Sequence, residues 1–416
     1  MKRHPILFLL IVFLFSACTT STQTATVSTP QPTQDSEPSP VVQEELEDEG
    51  ESADNTAPTA TLPPTATPVP QENTTLPGDY PAEGYGPEDF PETINPLTGL
   101  PVEVPENLDR RPIGLKIANF PRDIRPQWGL TKADLVYEYY HDGGITRFFA
   151  IFYGQNAAQV APIRSARFSD ENFIRMYKAS LTFGGTYEDV RDFFYKSNFG
   201  NRLLYNVTSD SCPASNNNPV CRFDPAGMNH LMTDTQKLEA YFTERGLDNE
   251  RQDLSGMWFQ ADPPPSEAPG TELRIRYTDS NYHLWSYNPD IEEYIRYQEK
   301  EESTGESYEI LSDRVNNIPI SADNVVVLVV HHKPLESTHE AYRFTLVGSG
   351  EAYAFRDGNR YELQWSRPEK SDVLYLTDAE GERFPFRPGT TWFEVMGINS
   401  EITEAENGLN IKANVP

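Results

Sequence analysis

The feature that most restricts this chain is what residues 19–92 lack. They contain no Lys or Arg and 15 Asp or Glu, and Thr, Pro and Ser dominate them, as in "TAPTATLPPTATPVP". Such a segment buries too little apolar surface to offset the entropy of ordering it. Its prolines favour extended conformations and its like charges repel, so it is expected to be an acidic disordered tether with a reach on the order of 50 Å. Folding is then the task of the residues beyond it. From about Thr93 the chain carries nearly all of its aromatic residues, and it is long enough for two domains. That part is acidic as well, within a formal net charge of -29. Nucleic acid, which demands a basic face, is therefore not an expected partner.

The N-terminus has a different character. Lys2 and Arg3 precede an uninterrupted apolar run from Ile6 to Phe15. Such a run is too short to span a bilayer, which takes roughly 20 residues, and reads as the core of a signal peptide, residues 1–18. Phe15-Ser16-Ala17-Cys18 resembles the bacterial lipobox, with Phe15 where Leu is more usual. The resemblance implies cleavage before Cys18 and acylation of its thiol. The expected location is thus extracytoplasmic, anchored to the cell membrane by lipidated Cys18. Cys212 and Cys221 remain, in "SDSCPASNNNPVCRF". An even pair in an exported chain favours a disulfide closing a small loop, whereas zinc needs further ligands nearby.

Local patterns give an α+β chain. "RPIGLKIAN" reads as a strand, and "ADLVYEYYH" and "TRFFAIFYG" as a hairpin turning at Asp142-Gly143-Gly144. "SDENFIRMYKA" reads as a helix capped by Ser169, and "SLTF" as a short strand. A second helix from about Thr186 has near capping-box spacing to Asp189, and "DTQKLEAYFTERG" is a third, stopped by Gly246. These make an N-terminal mixed-sheet α/β domain over 93–259. "QADPPPSEAPG", 260–270, reads as a linker. A smaller β-rich domain, 271–400, comes next, with "NVVVLVVHH" as a central strand and turns at Gly348-Ser349-Gly350 and Asp357-Gly358. Residues 401–416 are expected as a tail.

"NPLTGLP", "RPIGLKIANFPRDIRPQWGLTKADLVYEYYHDGGITRFFAIF", "APIRSAR", "FGGT", "GSGEAYAFRDGNRYELQWSR" and "FRPGTTWFEVM" occur in that order between Ile94 and Ile398. Together they resemble the YerB-like bacterial lipoproteins, a two-part domain family of unknown function. The resemblance implies an exported, lipid-anchored α+β protein and assigns no activity. The Cys212–Cys221 loop looks like an insertion relative to that family.

The segment that most resembles a site is basic within an acidic chain. Arg147, Arg164 and Arg167, with Ser165, Gly184, Gly185 and Thr186, surround two expected helix starts, where unpaired N–H groups and arginine forks attract anions. The expected function is an envelope binding protein recognising an anionic, phosphate- or carboxylate-bearing polymer, or an envelope protein. One alternative is an envelope hydrolase or phosphotransferase, with Glu138 near His141 and Asp142 as general base beside the three arginines. Another is a protein-interaction module docking by a sheet edge. His331, His332 and His339, with Glu336 and Glu340, lack helical metal-ligand spacing, and no metal or cofactor is expected.

Overall fold

The computed structural model describes residue 76 and residues 78–414, except 225, 228–229, 267 and 336–341. The leader, Cys18 and most of the expected tether lie outside the described residues. Residues 78–92 do not continue the tether. Tyr85 N–H donates to the Phe259 carbonyl at 2.9 Å, and the Phe90 and Phe259 rings lie 6.4 Å apart. Tyr80, Tyr85 and Phe90 are the three aromatic residues of 19–92, and they supply the apolar surface that the rest of it lacks.

Strands β1 (Ile113–Ala118), β2 (Leu135–Asp142) and β3 (Ile145–Phe152) form an antiparallel core in the order β2-β3-β1, with the hairpin turn where the glycines sit. β4 (Val160–Ile163) and β5 (Ser180–Phe183) share the free edge of β1. β4 meets it antiparallel at Ile117, and β5 runs parallel along Ile113–Leu115. Helix α1 (Glu171–Met176) lies between β4 and β5 in the chain, and α2 (Glu188–Lys196) follows β5. β6 (Leu203–Tyr205), β7 (Val220–Arg222) and β8 (Leu231–Thr233) extend the sheet, and α3 (Thr235–Glu244) comes after β8. The Asp234 carboxylate caps α3 by accepting from the N–H groups of Gln236 and Lys237.

Beyond the proline-rich stretch, β9 (Glu272–Thr278), β10 (Asn281–Asn288), β11 (Glu293–Glu299), β12 (Tyr308–Ile310) and β13 (Ser321–Ala322) build a second sheet. β14 (Asn324–Val330) leaves it. β15 (His332–Pro334) and β16 (Tyr342–Phe344) make a separate ribbon. β17 (Gly348–Arg356), β18 (Asn359–Arg367) and β19 (Tyr375–Thr377) stack outward from β14, and β20 (Thr391–Gly397) runs parallel to both β14 and β2. β21 (Glu401–Ala405) and β22 (Gly408–Lys412) close the chain, with β22 parallel to β9. The first sheet thus runs β19-β18-β17-β14-β20-β2-β3-β1-β4-β8-β7, with β5 and β6 branching from β1. The N-terminal part and the strand-rich C-terminal part are hydrogen-bonded through β2 and β20. The apolar run of β14 needs cover on both faces and has it: Val326, Leu328 and Val330 join one core and Val325 and Val327 the other.

Side-chain alternation decides the layers. Tyr137, Tyr139, Phe149, Phe393 and Val395 face α1 and α2, where they meet Phe173, Ile174, Val190 and Phe194. Val136, Phe148, Ala150 and Trp392 face the second sheet and pack on Leu273, Ile275, Trp285, Leu409 and Ile411. The large sheet is the central layer, with α1 and α2 on one side and the smaller sheet and α3 on the other.

Four local expectations need correction. Ser169 does not cap a helix. A single 3-10 turn, Phe168–Asp170, precedes α1, and the N–H of Arg167 donates to Asp170 Oδ2 at 2.7 Å. Ser169 Oγ instead accepts from Phe344 N at 3.2 Å, a tertiary bond that competes with capping. Thr186 likewise donates to the Ala166 carbonyl at 3.0 Å rather than boxing with Asp189. Gly348-Ser349-Gly350 is not a turn but the start of β17, where a Cβ at Gly350 would lie 2.5 Å from the Trp365 indole nitrogen. Residues 401–412 are no tail. The hairpin turns at Glu406-Asn407, with Ala405 paired to Gly408, and Leu409 and Ile411 are buried. The expected disulfide is present, linking Cys212 to Cys221 across a Cα–Cα distance of 4.9 Å.

Candidate functional site

"IRSAR" and "FGGT" are brought side by side where β4 and β5 compete for one edge of β1. Gly184 N–H donates to the Arg164 carbonyl at 3.0 Å and Ala166 N–H to the Gly185 carbonyl at 3.1 Å. Gly185, at φ +132°, permits this approach, since a Cβ there would lie 3.0 Å from Ser165 Oγ. Arg164, Ser165 and Gly184 to Thr186 are partly exposed, and Arg147 and Arg167 are buried behind them. In open sheets such forks are where ligands commonly sit.

Each arginine is held differently. Arg147 extends from β3 and donates to the Ser165 carbonyl at 2.9 Å. Arg167 donates to the Ala166 carbonyl at 2.9 Å and to Asp142 Oδ2 at 3.1 Å, with its guanidinium 4.7 Å from the Tyr187 ring centre. Arg164 makes no side-chain hydrogen bond or ion pair among the described residues, and its buried Nε lacks a partner there. Burial, then the charges of Arg167 and Arg164, push the Arg147 guanidinium down to about 9. Burial and Arg167 lower Arg164 as well.

Below this cluster Lys116 of β1 is fully buried. It donates to Tyr139 and to Asp170 Oδ1, the latter at 3.1 Å. Burial is the main reason its amine falls to about 8, with Asp170 opposing the fall and Arg147 and Arg167 adding to it. Asp142 answers the arginines directly. Burial raises its carboxyl, but the approach of His141 Nδ1 to 2.7 Å and the bond from Arg167 outweigh that and hold it below the usual range. Burial and the neighbouring guanidiniums keep His141 neutral. The cluster therefore carries more positive than negative charge, in contrast to the chain as a whole.

Glu138 is not part of this cluster. Strand alternation puts it on the opposite face of the sheet from Tyr139 and Arg147. There it is fully buried. It accepts from Thr146 Oγ1 at 2.5 Å and Asn119 Nδ2 at 3.2 Å, and pairs with Arg296 of the second sheet at 2.8 Å. Glu394, its register partner on β20, lies 3.3 Å from the same guanidinium and accepts from Trp285 Nε1 at 2.9 Å. His283 Nε2 stands 2.9 Å from Glu394 Oε1, and burial pushes that imidazole down to about 3. One ligand atom from each of Glu138, His283 and Glu394 falls within 4.8 Å of the others, as in a metal site. The Arg296 guanidinium already supplies the positive charge there. The arrangement is a sealed clasp between two sheets, and the large sheet lies between Glu138 and the arginines that the enzyme alternative joins to it.

Sequence reasoning missed Arg296, His283, Glu394 and Lys116. The usable signal was a lone charge at an inward position of an apolar strand, as in "IGLKIA" and "TWFEVMG". Of the histidine group, His331 is exposed. His332 is buried, with Nδ1 3.0 Å from the Val330 carbonyl and its ring 5.2 Å from Phe344. His339, Glu336 and Glu340 lie outside the described residues.

These features define an α+β protein of two hydrogen-bonded parts, strand-rich toward its C-terminus, with a cationic fork at one sheet edge. Residues 97–248 match the N-terminal domain, and residues 273–393 the C-terminal domain, of a family described as Protein of unknown function (DUF3048), and the chain belongs to that family. It is similar to a Bacillus subtilis (strain 168) protein named "Putative lipoprotein YerB", 25% identical over 315 residues, which covers 72% of this chain and 85% of the relative. The crystal structure of the YerB protein from Bacillus subtilis shares the fold, with a TM-score of 0.61 at 23% identity, covering 73% of this chain and 96% of that one. Among the described residues no helix is long and apolar enough to cross a membrane.

Proposed function

We propose that this protein is an extracytoplasmic lipoprotein, held to the cell membrane by acylated Cys18, whose fork of Arg147, Arg164 and Arg167 binds an anionic ligand of the envelope. The lipobox-like "FSAC" and the relative's name support the anchor. The observation that carries the binding reading is Arg164. Its guanidinium is partly buried beside two like charges, yet it has no bonded partner among the described residues. Like charges gathered without full compensation cost stability, and an arriving phosphate or carboxylate removes that cost through charged hydrogen bonds. Arg167 and Arg147 also serve the scaffold through their carbonyl bonds, so Arg164 is the residue that separates binding from folding.

The test titrates full-length protein with inorganic phosphate and, separately, citrate by calorimetry. Each charged hydrogen bond contributes roughly 1.5–3 kcal/mol, so Arg164→Gln weakens binding about ten- to a hundred-fold with a melting temperature no lower than the wild type's. Added salt weakens binding to the wild type. If neither anion binds, or if Arg164→Gln binds as the wild type does, the reading fails.

A further inference from the structure

A concavity separate from the arginine fork lies at the Arg360 end of β18. Its volume is about 600 Å³, within the usual range for small-ligand sites. Trp258, Tyr361 and Phe384 give it aromatic walls, and the rings of Tyr361 and Phe384 are 4.8 Å apart. These rings are held in place. The Trp258 indole donates to the Glu83 carbonyl at 3.1 Å and the Tyr361 hydroxyl to the Pro264 carbonyl at 2.8 Å. Trp258 itself is only half-buried.

The polar groups around it carry both signs. Arg383 is fixed by a bond to the Gly256 carbonyl and by stacking 3.7 Å from the Tyr375 ring centre. Asp378 uses Oδ1 to accept from the N–H groups of Glu380 and Glu382, which leaves Oδ2 without a bond among the described residues. Glu362 is exposed and 3.5 Å from Arg360. Balanced charges of this kind do not select a simple anion.

An extended peptide is poorly served here, because strand addition needs a row of free backbone groups. Pro264, Pro265 and Pro385 have no N–H to offer. The Trp258 carbonyl and Gln260 N–H are both bonded to Phe386, and the Phe384 N–H is bonded to Leu376. What the walls do offer is the half-buried Trp258 ring beside charged side-chain ends, with Tyr361 and Phe384 packed on each other behind. A pyranose matches that combination, since its C–H face lies on an aromatic ring while its hydroxyls donate to carboxylates and accept from a guanidinium. We infer that this cavity is a binding site for a short uncharged saccharide, such as an N-acetylated amino-sugar oligomer.

The test is calorimetric titration of the full chain with chitotetraose and with maltotetraose. Saturable binding of chitotetraose is expected, weakened at least ten-fold by Trp258→Ala and several-fold by Glu362→Gln, and untouched by Arg164→Gln. Thermal melts show whether Trp258→Ala remains folded. If it does not, Glu362→Gln decides, because that carboxylate is exposed and replaceable. The inference is overturned if neither tetrasaccharide binds at up to ~10 mM. It is overturned equally if the folded pocket variants bind as the wild type does, or if saccharide binding persists undiminished when Trp258 and Glu362 are replaced together.

Discussion

Replacing Glu394 by Gln should make the protein more stable above neutral pH and change little below pH 5. Glu394 is fully buried, and burial pushes its carboxyl up to about 7 from an ordinary value of 4.5, against the pull of Arg296 and Trp285. Between those two values the folded chain holds a proton that the unfolded chain has released. The stabilising contribution of this group is therefore complete below about pH 4.5 and is lost as the pH rises through 7. At about 1.4 kcal/mol per pH unit, the loss totals about 3 kcal/mol. Glutamine imitates the protonated acid. Its carbonyl can take the Oε1 position, which accepts from Trp285, and its amide the Oε2 position, which has no hydrogen-bond partner among the described residues. The assay is urea unfolding of both proteins at pH 5, 6, 7 and 8, and the quantity read is the difference in stability at each pH. Other titrating groups cancel in that difference. A difference constant with pH, or a wild type more stable than the variant at pH 8, would show that Glu394 enters the fold ionised against Arg296 and would refute the reasoning.

Labelled fatty acid is expected in the mature protein and absent after Cys18→Ser, and labelling that survives the substitution rejects the anchor. Cys212→Ser with Cys221→Ser should cost about 2–3 kcal/mol by denaturant unfolding, because the loop is short; a loss of folding altogether would assign the bridge a larger role. Truncation after Ser400 should abolish soluble folded protein, since it strips β22 from β9 and uncovers Leu273 and Ile275; a cooperative melt by the truncated chain would contradict this. Arg296→Met should destabilise by about 3–5 kcal/mol, measured by urea unfolding at pH 7, because Glu138 is left buried without its counter-charge.

The parts of the fold legible in the sequence were those decided within a dozen residues. The hairpin at Asp142-Gly143-Gly144, the apolar run of β14 and the Asp234-capped helix each carry their own turn or cap chemistry. Where tertiary bonds compete with local ones, the local reading failed, as at Ser169 and Thr186. The tail expectation failed on a local pattern, the alternation of Leu409 and Ile411 beyond the turn at Glu406-Asn407. In the candidate site, the adjacency of "IRSAR" and "FGGT" was readable from two strand-to-helix junctions in succession. That Glu138 faces away from it was readable from strand alternation alone. The Glu138–Arg296–Glu394 clasp was not, because its members come from three strands in two sheets and no local pattern specifies which strands meet.

The parallel pairing of β2 with β20 has a consequence in time rather than in space. Glu138 and Glu394 are register partners, yet they stand about 250 residues apart in the chain. A chain that emerges N-terminus first exposes the β2 edge long before the strand that covers it exists. β9 must likewise wait for β22. The β1–β3 core can pair early, but its junction with β14 through β20, and the cover of β9 by β22, must wait for strands made far later. Long-range pairings of this kind are slow to form. Through that interval the uncovered strand edges are open to proteases and to other unfinished chains.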